Sequence, residues 1–373
     1  MHFNEAEYLA RLRNWVEHES PTFEAAAVNG MLDLAARDFA AAGASIERIA
    51  GRLGFAGAIR ALFPHPRRAE PGIVVFAHLD TVHPLRTLEV LPWRREGDRC
   101  YGPGILDMKG GLCLALQAVI DLERAAVTTA LPITFMLTGD EEVGTPSARE
   151  LVEHEAARHR YVLVPEPARR NGNVVTGRYA IARFNLKTTG RPSHAGSRLS
   201  DGRSAIRAMA QRILEIEALS SEDCTFSVGV VRGGQWVNCV ATTCEAEVLS
   251  MAKRQSDLDR GVGALLGTAG ERDEVRFEVA RGVTRPIWEP TPATLALFDK
   301  ARGRADELGF AIGHESAGGG SDGNFTGALG IPTLDGLGAV GDGAHTLSEY
   351  IEIPSTIERG RLFAGLLATI DRH

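Results

Sequence analysis

Four short apolar runs, each bounded by turn formers, punctuate the chain: "GIVVFA" at 72–77, "LPITFML" at 131–137, "YVLV" at 161–164 and "GIPTLDGL" at 330–337. They lack the regular alternation of apolar and polar residues. A strand with one wet face must alternate, because successive side chains point to opposite sides. An apolar run therefore predicts a strand covered on both faces of a largely parallel sheet. The covering elements lie between the runs. "DMKGGLCLALQAVIDLERA" (107–125) repeats apolar residues at helical spacing, and "TPSARELVEHEAARH" (145–159) opens with Thr145 as N-cap and Pro146 at the first helical position. Strands alternating with helices predict an α/β fold, a mainly parallel sheet with helices on both faces.

The texture changes from about residue 178. "YAIARFNLKTTG" and "CEAEVLSMAK" alternate more, as strands with one solvated face do, and "GRSAIRAMAQRILEIEAL" (202–219) between them reads as an amphipathic helix. Near residue 290 the helical and buried-strand patterns return, down to the closing "STIERGRLFAGLLATI". The pattern predicts one domain from 1–177 and 289–373, with an α+β domain inserted over 178–288. A length of 373 residues favours two cores over one.

Composition narrows the class. Hydrophobic residues at 44% and charged residues at 24% are ordinary for a soluble globular protein. The 41 basic and 48 acidic residues give a net charge of -7, and no cluster of Lys and Arg interleaves with aromatics, so no nucleic-acid partner is expected. No apolar stretch is long enough to span a bilayer, and "MHFNEAEYLARLRNWVEHES" lacks the apolar segment of a signal peptide. These features predict a cytoplasmic protein without a membrane partner. The five cysteines, Cys100, Cys113, Cys224, Cys239 and Cys244, are odd in number and form no CxxC pair. That excludes a disulfide framework or zinc ribbon and predicts reduced, structural thiols, with Cys113 a small core residue.

In a parallel α/β sheet, chemistry gathers beyond the carboxyl ends of the strands. The first run ends in "AHLDTV", where His78 and Asp80 are two apart and point to one side. A metal-bound His donates its other ring N–H to an acceptor, which Asp80 would supply. The second run ends in "TGDEEVGT", where Asp140, Glu141 and Glu142 crowd three like charges. On its own the trio reads equally well as an acidic cap for the next helix. The third run leads to Glu166 in "VPEP". "GDGAHTLSEY" follows the last run and places His345 in a Gly-rich loop, while "YGPGILDMKGG" presents Asp107 ahead of the first long helix. Each residue alone suits a solvated loop. Together they form an N/O donor set that suits zinc, with manganese or cobalt as alternatives.

In this order, over nearly the whole chain, "AHLDTVHP", "YGPGILDMKGG", "TGDEEVGT", "VPEP", "RPSHAG", "AGGGSDG" and "GAHTLSEY" resemble a known family. It comprises the di-zinc metallopeptidases and aminoacylases that include glutamate carboxypeptidase, acetylornithine deacetylase, succinyl-diaminopimelate desuccinylase and carnosinase-type dipeptidases. The likeness is greatest to the bacterial, folate-cleaving glutamate carboxypeptidases. The resemblance implies a zinc-peptidase-like catalytic domain and an inserted lid that is also the dimerisation domain of a homodimer. It implies two divalent ions, most simply zinc, bridged by Asp107. His78 and Glu166 would complete one site, Glu142 and His345 the other, with Asp80 orienting His78 and a cis bond after Asp107. Glu141 becomes the general base for a metal-bridging hydroxide, and His194 the oxyanion donor reaching the partner subunit's site. Gly319 and Gly320, in the "GGG" loop, would receive a substrate carboxylate on backbone N–H groups, and Asn238 would contact substrate.

The implied reaction is hydrolysis of an amide in a small N-acyl amino acid, dipeptide or folate-like substrate bearing a carboxylate. Deacylation of an acylated amino acid remains an open alternative, since the motifs do not separate the two. Retention of Glu141 and all five ligands opposes a non-catalytic relative, and Glu166 where family aminopeptidases carry Asp opposes an aminopeptidase. One departure stands out. Carboxypeptidases and deacetylases of the family carry a carboxylate-gripping Arg thirteen residues after the Asn seen here at 238, and residue 251 is Met. A thioether cannot imitate the two parallel charge-assisted bonds of a guanidinium. Met251 therefore predicts altered specificity, with Lys253, Arg254, Arg281 and Arg285 as the cations that could compensate.

Overall fold

The computed structural model describes residues 3–371. They form two compact units, the first made of the chain up to Gly177, Trp288–Ala317 and the chain from Ser321, the second of Arg178–Ile287 and Gly318–Gly320. The chain re-enters the first unit one residue before the expected 289. The triplet Gly318–Gly320, which the sequence pattern leaves in the first domain, groups with the second. Arg178 donates to the Gly320 carbonyl at 3.2 Å, and a Cβ on Gly320 would collide with Arg285 and press on Ile181.

The first unit is built on a six-stranded sheet in the order Ser45–Ile49, Ala58–Leu62, Ile133–Thr138, Ile73–His78, Tyr161–Leu163, Thr333–Leu334. The last four run parallel and the first two are added antiparallel. Every residue of Ile73–His78 and Ile133–Thr138 is buried, as strands covered on both faces must be. The pleat sorts them. Ile73, Val75, Phe135 and Leu137 join a core with Leu12, Phe39, Leu116 and Phe363 from the helices Glu5–Val16, Ala25–Ala41, Gly110–Arg124 and Ile353–Thr369. Val74, Phe76 and Met136 face the other way, onto Val152 of the helix Arg149–Ala156 and Phe325 of Gly323–Ala328. The last strand keeps only two residues of the apolar run, because Pro332 has no N–H for the ladder and Gly336 turns the chain at φ 66°. A small four-stranded sheet, in the order Gly341–Asp342, Tyr350–Glu352, Arg99–Tyr101, Arg94–Glu96, ties the loop after His345 to the turn before Asp107.

Two helix starts differ from expectation. The helix within the 107–125 pattern begins at Gly110, because Asp107 and Met108 have non-helical dihedrals. The second begins at Arg149, and Thr145 is not its N-cap. Thr145 sits at φ 60° and donates its hydroxyl to Asp322 Oδ1 at 2.6 Å. Asp140 braces the turn ahead of the helix, its Oδ2 accepting from the N–H groups of Ser147 (2.6 Å) and Ala148 (3.3 Å).

The second unit is an antiparallel sheet in the order Cys224–Gly233, Thr243–Ala252, Ala180–Thr189, Val275–Arg285, Gly270–Arg272. Exposed and buried residues alternate along Thr243–Ala252, as the sequence pattern requires of a half-solvated strand. The inward set, including Phe184, Leu186, Phe226 and Val248, packs with Met209, Ile216, Leu258 and Leu265 of the helices Ala205–Glu217 and Gln255–Leu266. All five cysteines are unpaired, and only Cys239 is exposed. Among the described residues no helix is long and apolar enough to cross a membrane.

Close backbone approach fixes one strand end in the first unit. A Cβ on Gly111 would collide with the carbonyl of Pro165, and one on Gly338 would collide with the same carbonyl and press on that of Glu166. Glycine at both positions lets the 110–124 helix and the 335–338 turn close on the segment carrying Glu166. Gly111→Ala is expected to cost about 1–3 kcal/mol in urea denaturation, the usual penalty of an overpacked core. A loss below about 0.5 kcal/mol would show that the Pro165 segment gives way instead.

Candidate metal centre

Three strand ends and two loops of the first unit bring the candidate ligands together. His78 closes the strand Ile73–His78 with its ring buried. Its Nδ1 lies 2.9 Å from the Asp80 main-chain oxygen, and a carbonyl can only accept, so Nδ1 carries a proton and Nε2 is the ring atom that faces Asp107. The acceptor expected from Asp80 is thus its backbone; its carboxylate is farther, at 3.4 Å. That carboxylate instead collects the N–H groups of Glu141 (3.2 Å) and Glu142 (3.2 Å) and the hydroxyl of Thr22 (2.8 Å). Asp80 therefore fixes the main chain that carries the next two acids.

Asp107 stands between the two histidines. Its Oδ1 is 3.1 Å from His78 Nε2, and its Oδ2 is 3.1 Å from Nε2 of His345, whose backbone is held at φ 64°. The Asp107–Met108 peptide bond is cis, as the resemblance implies. Glu166 Oε1 lies 3.6 Å from His78 Nε2, and Glu142 Oε2 lies 3.3 Å from His345 Nε2. Two donor sets result, His78–Asp107–Glu166 and Asp107–Glu142–His345, the atoms of each within 4.8 Å of one another. Each offers one imidazole nitrogen and two carboxylate oxygens, a three-ligand N/O set that fits zinc with a coordination position to spare. Glu141 belongs to neither set; its carboxylate is 3.9 Å from His78 Nε2.

Electrostatics tell the same story of too much negative charge in too little water. Burial opposes charge on His78, yet hydrogen bonds to Asp107 and Asp80 and the nearby Glu141 and Glu166 hold its pKa well above the ordinary value. Hydrogen bonds to Asp107 and Glu142 lift His345 to about 11. Burial, then repulsion from Asp107, pushes Glu142 up to about 8 and raises Glu166 well above the carboxylate range. Asp107 moves the other way, because hydrogen bonds from His345 and His78 outweigh its burial.

Several supporting residues were not singled out from sequence. Glu349 and His83 form a buried pair at 2.8 Å beside the Asp107 turn. Buried Lys109 donates to the His18 carbonyl at 2.8 Å, and burial brings its amine down to about 7. The available signal was that each charged side chain lies inside a motif whose ligand roles were already taken. A recess of about 450 Å³ borders the centre, with Leu106, Ala168 and Ala344 in its wall, each within two residues of Asp107, Glu166 or His345. Its charged wall is paired internally, Arg169 with Glu315 at 2.7 Å and Arg170 with Asp342.

The remaining candidates lie in the second unit. His194 and Asn238 are neighbours: His194 bridges to Cys239, and Ala195 N–H donates to the Asn238 carbonyl at 2.9 Å. Nδ1 of His194 accepts from the N–H groups of Gly196 (3.1 Å) and Ser197 (3.2 Å), so its proton is on Nε2. Met251, Ile181 and Arg285 are register partners on three adjacent strands and share the face opposite the helices, and Gly320 packs on Ile181 and Arg285. Gly319, at φ 81°, makes the turn beside it. Of the compensating cations, Lys253 and Arg254 are engaged by Glu222, Asp223 and Asp257, and Arg281 donates to Thr284. Arg285 is the one that lies in the row of Met251.

Known proteins share this arrangement of sequence and fold. The profile of the family described as Peptidase family M20/M25/M40 matches residues 74–369. Carboxypeptidase G2 of Pseudomonas sp. (strain RS-16) is 29% identical over 309 residues, covering 80% of this chain and 74% of that protein. Acetylornithine deacetylase of Myxococcus xanthus is 29% identical over 213 residues, covering 53% and 54%. Among solved structures, a tripeptidase from Staphylococcus aureus superimposes with a TM-score of 0.80 at 21% identity over 100% of both chains. A metallo-carboxypeptidase from Sulfolobus solfataricus does so with a TM-score of 0.74 at 15% identity over 97% and 98%. The chain belongs to peptidase family M20/M25/M40 and is a metal-dependent hydrolase of the carboxypeptidase and deacetylase type.

Proposed function

We propose that the protein is a two-zinc amidohydrolase that releases a carboxylate-bearing amino acid from a small N-acyl, dipeptide or folate-like substrate. Asp107 carries this reading: its two oxygens face two different histidines, so one carboxylate serves two donor sets, with Glu141 beside them and in neither. The similarity to acetylornithine deacetylase favours deacylation as the second reading, by the same chemistry. Ions held by His78, Asp107 and Glu166 and by Asp107, Glu142 and His345 would supply Lewis acidity to the substrate carbonyl and to a water. Glu141 takes the proton of the attacking water and returns it to the leaving nitrogen, its main chain fixed by Asp80. His194, with its proton on Nε2, is the donor to the developing oxyanion. Arg285 and the N–H groups at Gly319 and Gly320 take the substrate carboxylate, and Asn238 orients the amide. The acyl part enters the polar recess beside Leu106 and Ala344. The resemblance supports a homodimer with His194 acting on the partner's site, and the unpaired cysteines suit a cytoplasmic setting.

Glu141→Gln should keep its metal, measured by elemental analysis, while kcat on N-acyl glutamates and dipeptides falls by about 10²–10⁴. Near-normal turnover in that variant would remove Glu141 from the reaction. Inactive Glu141→Gln subunits mixed with inactive His194→Ala subunits should regain part of the wild-type activity, since some heterodimers hold one intact composite site. If subunits exchange, as a mass-tagged pair would report, and no activity returns, the trans role is wrong.

Met251 beside Ile181 gives the row of Arg285 an apolar border, and suits a released amino acid with an apolar side chain. Met251→Arg is expected to shift kcat/KM toward acidic side chains by about tenfold or more, through a new charge-assisted pair. Equal kcat/KM values for wild type and variant across apolar and acidic substrates would make Met251 a bystander.

A further inference from the structure

We infer that Glu349 is a positioning residue for the metal centre: its buried carboxylate is the template on which the turn presenting Asp107 is folded. This rests on the two-ion proposal above. Glu349 is fully buried and is a member of neither donor set. Its Oε1 accepts the N–H groups of Leu106 (2.8 Å) and Asp107 (3.0 Å); its Oε2 accepts the N–H of Gly104 (2.8 Å) and faces Nε2 of His83 at 2.8 Å. Three of the four partners are main-chain donors from one four-residue segment, and that segment ends in the shared ligand.

The location of Glu349 is itself determined. It directly precedes Tyr350, which pairs with Tyr101 in the small sheet, and Gly102 N–H reaches the Glu349 carbonyl at 3.4 Å. His345 lies four residues upstream in the same loop. One short segment therefore delivers a ligand of one donor set directly, through His345, and the ligand common to both sets indirectly, through Glu349. A turn has no repetitive ladder to hold its N–H groups, so without an acceptor they would go to water or force the turn open. The choice of acid matters as well. A carboxylate offers only acceptors, and all four groups facing it can donate, given the Nε2–H tautomer of His83. Glutamine would replace one acceptor by an NH₂ group and set donor against donor at two of the four contacts.

Partners that orient a metal ligand typically govern affinity by about ten- to a hundredfold when removed. The test measures zinc binding to metal-stripped protein by competition with a chromophoric chelator, alongside circular dichroism and thermal melting. Glu349→Gln is expected to stay folded and to weaken both binding steps together by about tenfold or more, because the ligand it misplaces is shared. Glu166→Gln, at a ligand of one set alone, is expected to weaken one step and spare the other. His83→Leu, which leaves the three backbone donors and the carboxylate in place, is a milder variant that should lower zinc affinity severalfold, and it decides the matter if Glu349→Gln does not fold. Wild-type zinc affinity in the folded variants, with only a lower melting temperature, would overturn the positioning role and leave the two-ion proposal intact. Failure of the wild-type protein to bind two zinc ions would instead overturn both.

Discussion

Crowded carboxylates at the ends of parallel strands are the constraint on which the rest of this structure depends. Two unit charges about 4 Å apart repel by about 4 kcal/mol at the effective dielectric of a protein surface, and more where water is excluded. Asp80, Asp107, Glu141, Glu142 and Glu166 converge on two imidazoles. Each acid is handled differently. Asp80 is hydrogen-bonded by main-chain N–H groups and a threonine hydroxyl. Asp107 is kept ionised by two histidines, while Glu142 and Glu166 have their pKa values driven up by burial and by Asp107. An arrangement so costly in the absence of cations implies that the fold was selected for holding them.

The parallel sheet makes that convergence possible. Its central strands are covered on both faces, so the only polar exits are the strand ends, and His78, Glu141, Glu142 and Glu166 all follow such ends. Gly111 and Gly338 then close on the Pro165–Glu166 backbone where any larger residue would hold it away. Packing, not only sequence position, sets the spacing of the donors.

Much of this was legible in sequence because the signals are physical and local. Apolar runs such as "GIVVFA" lack alternation because both faces are buried, and a motif of acids after such a run marks a strand end. What stayed hidden depends on contacts distant in sequence. Thr145 has the form of an N-cap, but Asp322, far along the chain, claims its hydroxyl, and the helix starts only at Arg149. The start of the 110–124 helix could not be placed while the backbone of Asp107 and Met108 was unknown. The sequence pattern leaves Gly318–Gly320 in the first domain, and only its packing on Ile181 and Arg285 assigns it to the second unit. Glu349 drew no notice in the sequence, because the backbone donors it satisfies lie more than 240 residues earlier.

The sheet of the second unit keeps its two faces independent. Phe184, Val248 and their inward neighbours carry the core, while Ile181, Met251 and Arg285 stand on the other side of the same strands. A change on that side therefore leaves the core beneath the helices untouched. Met251 is only half-buried there, whereas Ile181 and Arg285 are buried. If this face meets substrate as proposed, an exchange of Arg for Met at 251 is the change that would alter selectivity at least cost to the core.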